Sequence, residues 1–351
     1  MSTIPRTLFV GQGPTPISWY RCALPAMALG ADWIAGTAPG AELHGLTGVA
    51  AGGGTTAVPT DYDVVVVQLA MGRDWLHAIR AWQEAGVVVL YEVDDWVRGV
   101  RRNAHHDFRD VVDRSTAEAG ELCMRVCDGV ICSTEWLARR YRSVNPNTFV
   151  CRNGIDLKRY ALTRPARESV AIGWAGATGH RGGVEAWLQA VTAVMRRHPD
   201  TRFVSVGQPF ADVVLPEFGA ARALSVPFAP LETYPATMAL FDVALAPAGR
   251  GSFFRGKSDL RWLEASALGI PLIADPEVYP EIEHGVTGFH AADAAEAEPL
   301  LAELVADEGL RTTVGEAARA YVTEHRRVEV AARDWADVLT RSAAAVPVST
   351  A

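Results

Sequence analysis

The run Arg250-Gly-Ser-Phe-Phe-Arg255-Gly-Lys257-Ser258-Asp-Leu-Arg261-Trp-Leu-Glu264 gathers cations, glycines and one carboxylate into a single short stretch. Arg250, Arg255 and Lys257 approach a helix start through a loop with glycines at 249, 251 and 256. Lys257, Arg261 and Glu264 recur at i, i+4 and i+7, which places them on one face of a helix expected over Lys257 to Leu268. A lysine at a helix N-terminus opposes the helix dipole unless an anion neutralises both. A carboxylate about two turns further on suits hydrogen bonds from sugar hydroxyls. The competing reading is a solvated charged face, with Lys257 and Glu264 in water.

A second candidate is Gly173-Trp-Ala-Gly176-Ala-Thr-Gly179-His180-Arg181-Gly-Gly183, between a strand and a helix expected to open at about Val184. Exposed backbone amides and the helix dipole make an anion site there, to which His180 or Arg181 adds charge. Gly11-x-Gly13 also follows a strand, but Pro16 stands where a dinucleotide fingerprint needs its third glycine, so tight-turn chemistry is the leading reading. Glu92-x-Asp94 and Asp95 end a strand, where acids line a cleft, bind a metal or cap the next helix; a cleft role is favoured for Asp94 and Asp95. Cys123 and Cys127 lack further ligands and read as core, and no metal site is expected.

The elements that position these groups alternate. Continuous apolar runs such as Asp63-Val-Val-Val-Val-Gln68 and Val87-Val-Val-Leu-Tyr91 mark strands covered on both faces. They are separated by helical patterns over 18–29, 74–84, 108–127 and 134–141. The pattern breaks over Leu157 to Ser169 and restarts at Val170, and the tail from Ala294 to about Ala345 is helical. The expected fold is α/β: two Rossmann-like, doubly wound parallel-sheet domains facing across a cleft, with a helical tail.

The Lys257–Glu264 stretch, followed by Ala267-Leu-Gly269-Ile-Pro271 and His284-Gly-Val-Thr-Gly288-Phe289, resembles the donor site of retaining GT-B glycosyltransferases, in their bacterial and phage branches. Tyr91-Glu-Val-Asp94-Asp95-Trp96, Cys132-Ser-Thr-Glu-Trp136 and Asn153-Gly-Ile-Asp156 add to the likeness, which spans about residues 8 to 325. The resemblance implies domains of 1–160 on the acceptor side and 161–325 on the nucleotide-sugar donor side. Residues 326–351 would form a C-terminal helix and tail packing back on the first domain. It implies that Lys257 holds the donor diphosphate, helped by His180 or Arg181, and that Glu264 binds the ribose hydroxyls. Gly13, Gly176, Arg255 and Ser258 complete the expected donor side. One departure stands out: the wider family carries a glutamate where this chain has Gly256, so any contact that glutamate makes to the transferred sugar is missing or supplied elsewhere.

The expected activity is transfer of a sugar from a nucleoside-diphosphate sugar to a hydroxyl acceptor, retaining and metal-independent, with no cofactor beyond that co-substrate. Asp94, Asp95, His105 and His106 are the candidate catalytic groups. Arg98, Arg101, Arg102 and Trp96, in an arginine-rich stretch of a chain with net charge −8, suggest a polyanionic acceptor: an anionic glycan, a lipid-linked sugar or hydroxymethylated phage-type DNA. Two rivals stand beside this reading, a nucleotide-sugar epimerase of the same fold and a non-catalytic nucleotide-sugar- or glycan-binding protein. With 49% hydrophobic and 21% charged residues, the composition excludes a disordered chain and a basic nucleic-acid coat. No apolar run reaches membrane-spanning length and no signal-peptide pattern opens the chain, so a cytoplasmic location is expected.

Overall fold

A computed structural model describes residues 4–35, 61–100, 114–164 and 168–345. The first sheet comprises β1 (Thr7–Gly11), β2 (Asp32–Ala35), β3 (Val64–Gln68), β4 (Val88–Val93), β5 (Gly129–Cys132) and β6 (Thr148–Val150). Its order is β2-β1-β3-β4-β5-β6, and every pairing is parallel. The second holds β7 (Val170–Gly176), β8 (Thr201–Gly207), β9 (Ala223–Val226), β10 (Val243–Ala246), β11 (Leu272–Ala274) and β12 (Phe289–His290). Its order is β12-β11-β10-β7-β8-β9, again all parallel. Two doubly wound sheets are therefore present, as the alternation of apolar runs implies.

The valines of β3 are fully buried, as a strand covered on both faces requires. Three strands escape the sequence pattern: β2, β9 and β12 lie at sheet edges and are short. β2 is exposed at three of its four positions and β9 is buried only at Ala223, so neither carries a continuous apolar run. All five cysteines are buried free thiols, in keeping with their reading as core.

Chain order reverses between β1 and β3 in the first sheet and between β7 and β10 in the second. Ligands of open α/β sheets gather beyond the carboxyl ends of the strands at these switch points. The loops at Gly11–Thr15, Gly176–His180 and Ala248–Ser258 all follow switch-point strands.

The tail forms helices Ala294–Ala306, Glu308–His325 and Val328–Ala345. The last of these leaves the second sheet and returns to the first. Its Trp335, Val338 and Leu339 share a core with Phe9, Cys22, Val64 and Val66, and Trp335 meets Phe9 edge-on at 5.4 Å. At the crossing point Arg326 forms a buried two-toothed pair with Asp259 and donates to the Asn153 carbonyl at 3.1 Å. Among the described residues, no helix is long and apolar enough to cross a membrane.

Candidate functional site

Helix Leu260–Ala267 begins later than its sequence periodicity suggests, and a separate short helix, Ser252–Arg255, precedes it. Lys257 and Ser258 lie in the loop between the two, so the shared helical face holds for Arg261 and Glu264 but not for Lys257. The dipole argument for Lys257 falls with it. The lysine is held instead by the opposite domain: its Nζ donates to Asp95 Oδ1 at 2.6 Å, with side chains 23% and 14% exposed. The Phe253 ring lies 4.5 Å below the ammonium. Asn153, again from the first domain's side, donates to Ser258 Oγ at 2.8 Å.

Asp94 and Asp95 end β4 against this loop. Tyr141 OH donates to the Asp95 carbonyl at 3.0 Å and fixes the turn. Burial, then the neighbouring charges of Asp95 and Glu92, push the Asp94 carboxyl up to about 8, against the pull of Lys257 and Arg21. Its Oδ1 is shut off from solvent without a hydrogen-bond partner among the described residues. That environment favours the neutral acid at Asp94, whereas Asp95 serves as the counter-ion of Lys257.

Beneath this rim lies a buried polar network. Arg21 Nε donates to Glu92 Oε1 at 2.7 Å, and Gln68 Nε2 donates to Glu92 Oε2 at 2.9 Å. Ser18 Oγ and the Gln12 amide both donate to Gln68 Oε1, which fixes the turn after β1. Arg21 also donates to Asn153 Oδ1 at 2.9 Å, and so reaches the residue that holds Ser258. The Gly13 amide turns inward to Ser18 Oγ at 3.4 Å. Gly13 thus serves the tight turn on the first domain's rim.

Glu264 is 5% exposed, so the solvated-face reading fails. Tyr20 OH, from the first domain, donates to its Oε1 at 2.8 Å, and Tyr234 OH donates to its Oε2 at 3.3 Å. Tyr160 OH lies 2.9 Å from Tyr20 OH. Burial raises the Glu264 carboxyl to about 7, opposed by the tyrosine hydrogen bonds and by Arg261. The three tyrosines are absent from the sequence reading because they approach Glu264 from distant segments.

Around the glycine-rich loop, a 3-10 turn over Thr178–His180 leads into helix Arg181–Arg197, which opens before the expected Val184. A Cβ on Gly183 would lie 2.7 Å from the Ala248 backbone, so this glycine serves close packing against the loop after β10. A Cβ on Gly176 would lie 2.3 Å from Arg261 Nη2; the missing side chain lets that guanidinium rest on the loop. His180 meets the Phe254 ring at 5.9 Å, and Arg181 pairs with Glu185 at 3.5 Å on the surface. Arg255 pairs with Glu277 at 2.9 and 3.1 Å, half exposed.

The acceptor-side candidates separate. Trp96 is packed among aromatics, 6.0 Å from Trp136 and 5.2 Å from Tyr141. Arg98 is committed to Glu121, with Nη2 donating to Oε2 at 2.5 Å. Arg101, Arg102, His105 and His106 lie outside the described residues. Among the described residues no three His, Cys, Asp or Glu side chains converge where a metal ion could be held.

Residues 182–337 match a family model described as glycosyl transferase-like. No curated protein matches the chain. Among solved structures the chain is similar to HepE from Anabaena in complex with UDP-glucose, with a TM-score of 0.67 at 14% identity, covering 96% of this chain and 100% of that one. A glycosyltransferase from Rickettsia africae gives 0.67 at 12% identity over 96% and 98%. Sucrose-phosphate synthase from Thermosynechococcus elongatus gives 0.60 at 16% identity over 81% and 75%. At these identities the likeness is one of fold, and that fold is GT-B.

Proposed function

We propose that this GT-B glycosyltransferase moves a sugar from a nucleoside-diphosphate donor to a hydroxyl acceptor in the cleft between its two sheets. The observation that carries the reading is Lys257, a cation at a switch-point loop whose counter-ion, Asp95, belongs to the opposite domain. A diphosphate entering from the cleft exchanges with that carboxylate. HepE was solved with UDP-glucose, which makes UDP the first nucleotide to test. Arg261, resting on the Gly176 loop, is a second cation for the leaving group.

Fixed cations in a partly enclosed cleft stabilise the departing diphosphate, and one such group is worth about 10²–10³ in rate. With that charge supplied by side chains, the transfer runs without a metal ion. The departing phosphate takes the acceptor's proton, and configuration is retained, as the family likeness implies. Asp94, favoured as the neutral acid, is suited to donate a hydrogen bond at the cleft rather than to act as a base. Glu264, enclosed by tyrosines, meets ribose hydroxyls only if Tyr20 yields its place.

Incubation with a panel of nucleotide sugars tests the reading. Slow release of free sugar and nucleoside diphosphate supports a transferase. Return of an isomeric nucleotide sugar identifies an epimerase, and binding without turnover identifies a carrier.

A further inference from the structure

Two stretches of chain that join the sheets lie side by side. Residues 153–155 follow β6, the last strand of the first sheet, and residues 326–328 lead into the final helix that packs back on it. The Ile155 amide donates to the Arg326 carbonyl at 2.9 Å, and the Val328 amide donates to the Ile155 carbonyl at 2.9 Å. A Cβ on Gly154 would lie 2.7 Å from Val328 Cα, so glycine is what lets the two stretches come this close. The joint is a short backbone ladder, not a loose linker.

Asn153 heads that ladder and is 3% exposed. Its Oδ1 accepts from Arg21 Nη1 at 2.9 Å, its Nδ2 donates to Ser258 Oγ at 2.8 Å, and its carbonyl accepts from Arg326 Nη2 at 3.1 Å. Arg21 is itself immobilised, buried and bound to Glu92 and to the Cys151 carbonyl, each at 2.7 Å. One side-chain amide therefore runs from a fixed cation of the first domain to the residue beside Lys257 in the second. An unpaired amide at this depth is costly, so Ser258 is drawn to one place. Lys257 carries its charge on a flexible four-carbon stem, and the backbone it springs from decides where the ammonium stands.

We infer, resting on the glycosyltransferase reading for the ligand, that Asn153 is a positioning residue for sugar transfer. It sets the Lys257–Ser258 loop against the first domain and acts on the donor diphosphate through that loop. A residue that only packs the joint lowers stability and leaves the contribution of Lys257 as it was. A positioning residue changes what Lys257 contributes.

Calorimetric titration of the full chain with UDP tests this in wild type, Asn153→Ala and Ser258→Ala, each with and without Lys257→Ala. Asn153→Ala and Ser258→Ala are each expected to weaken UDP by about fivefold or more. The two links act in series, so the variant carrying both changes stays within about twofold of the weaker single variant. The loss caused by Lys257→Ala shrinks by about fivefold in either background. Ser258→Ala, at a half-buried loop position, gives the answer even where Asn153→Ala does not fold. Penalties that add, or an undiminished loss from Lys257→Ala, overturn the assignment. A wild type that binds no nucleoside diphosphate is a different failure, that of the proposed function. The relay is then read from urea midpoints without ligand: Lys257→Ala and Asp95→Asn, coupled in wild type, become additive in Ser258→Ala. Coupling that is absent from wild type, or that persists in Ser258→Ala, overturns the assignment on that arm.

Discussion

The two halves of the Lys257–Asp95 pair are expected to respond to substitution with opposite signs. Lys257→Ala removes a charge-assisted hydrogen bond to the diphosphate, worth about 1.5–3 kcal/mol, so UDP affinity falls by about 10- to 150-fold. Asp95→Asn removes the competitor for the same ammonium. At 23% and 14% exposure the pair is better shielded than a surface ion pair of about 0–1 kcal/mol. A value of about 1–2 kcal/mol is therefore reasonable, and UDP binds about 5- to 30-fold more tightly in Asp95→Asn. Asp94 holds its proton partly because of the Asp95 charge, so it ionises more readily in that variant. Calorimetric titration of the full chain with UDP across about pH 6 to 8 separates the loss of the Asp95 charge from any change in Asp94 ionisation. Melting curves confirm that both variants are folded. If Asp95→Asn weakens UDP as much as Lys257→Ala does, Asp95 orients the lysine rather than competing for it, and the exchange argument is wrong.

Stability should fall as pH rises from about 4 to 8, because native Asp94 keeps a proton that the unfolded chain has already lost. Glu264 adds to the trend up to about pH 7. Asp94→Asn should flatten the melting temperature against pH and raise it at pH 8.5; an unchanged slope would show that Asp94 ionises normally. Arg326→Ala leaves Asp259 buried and unpaired at the start of the Glu264 helix, at a cost of about 3–5 kcal/mol. Denaturant titration should show that loss, and a variant as stable as wild type would refute the buried-pair reading. Sugar transfer should survive EDTA; complete loss restored by Mg²⁺ or Mn²⁺ would count against catalysis by side-chain cations alone.

Much of the architecture is legible in the sequence. A valine run such as Val64–Val67 marks a strand buried on both faces, and the alternation of such runs with amphipathic helices leaves two parallel sheets as the consistent arrangement. Switch points, and so the loops that matter, follow from that topology. The Lys257–Glu264 stretch was conspicuous for the same reason: its cations, glycines and carboxylate are neighbours in the chain. These are signals carried within a dozen or so residues.

What tertiary structure decided was the state of each group. The sequence pattern left Glu264 free to stand in water, but Tyr20 reaches it across 244 residues and Tyr234 across 30, and burial raises its carboxyl to about 7. Lys257 looked like a helix-start cation; instead, a carboxylate 162 residues away claims it. Arg98 looked like part of a free basic patch, and Glu121 neutralises it. Hydrophobic periodicity is a local property that each helix or strand expresses by itself. Ion pairing, desolvation and proton affinity depend on which distant segments the closed fold brings within 3 Å.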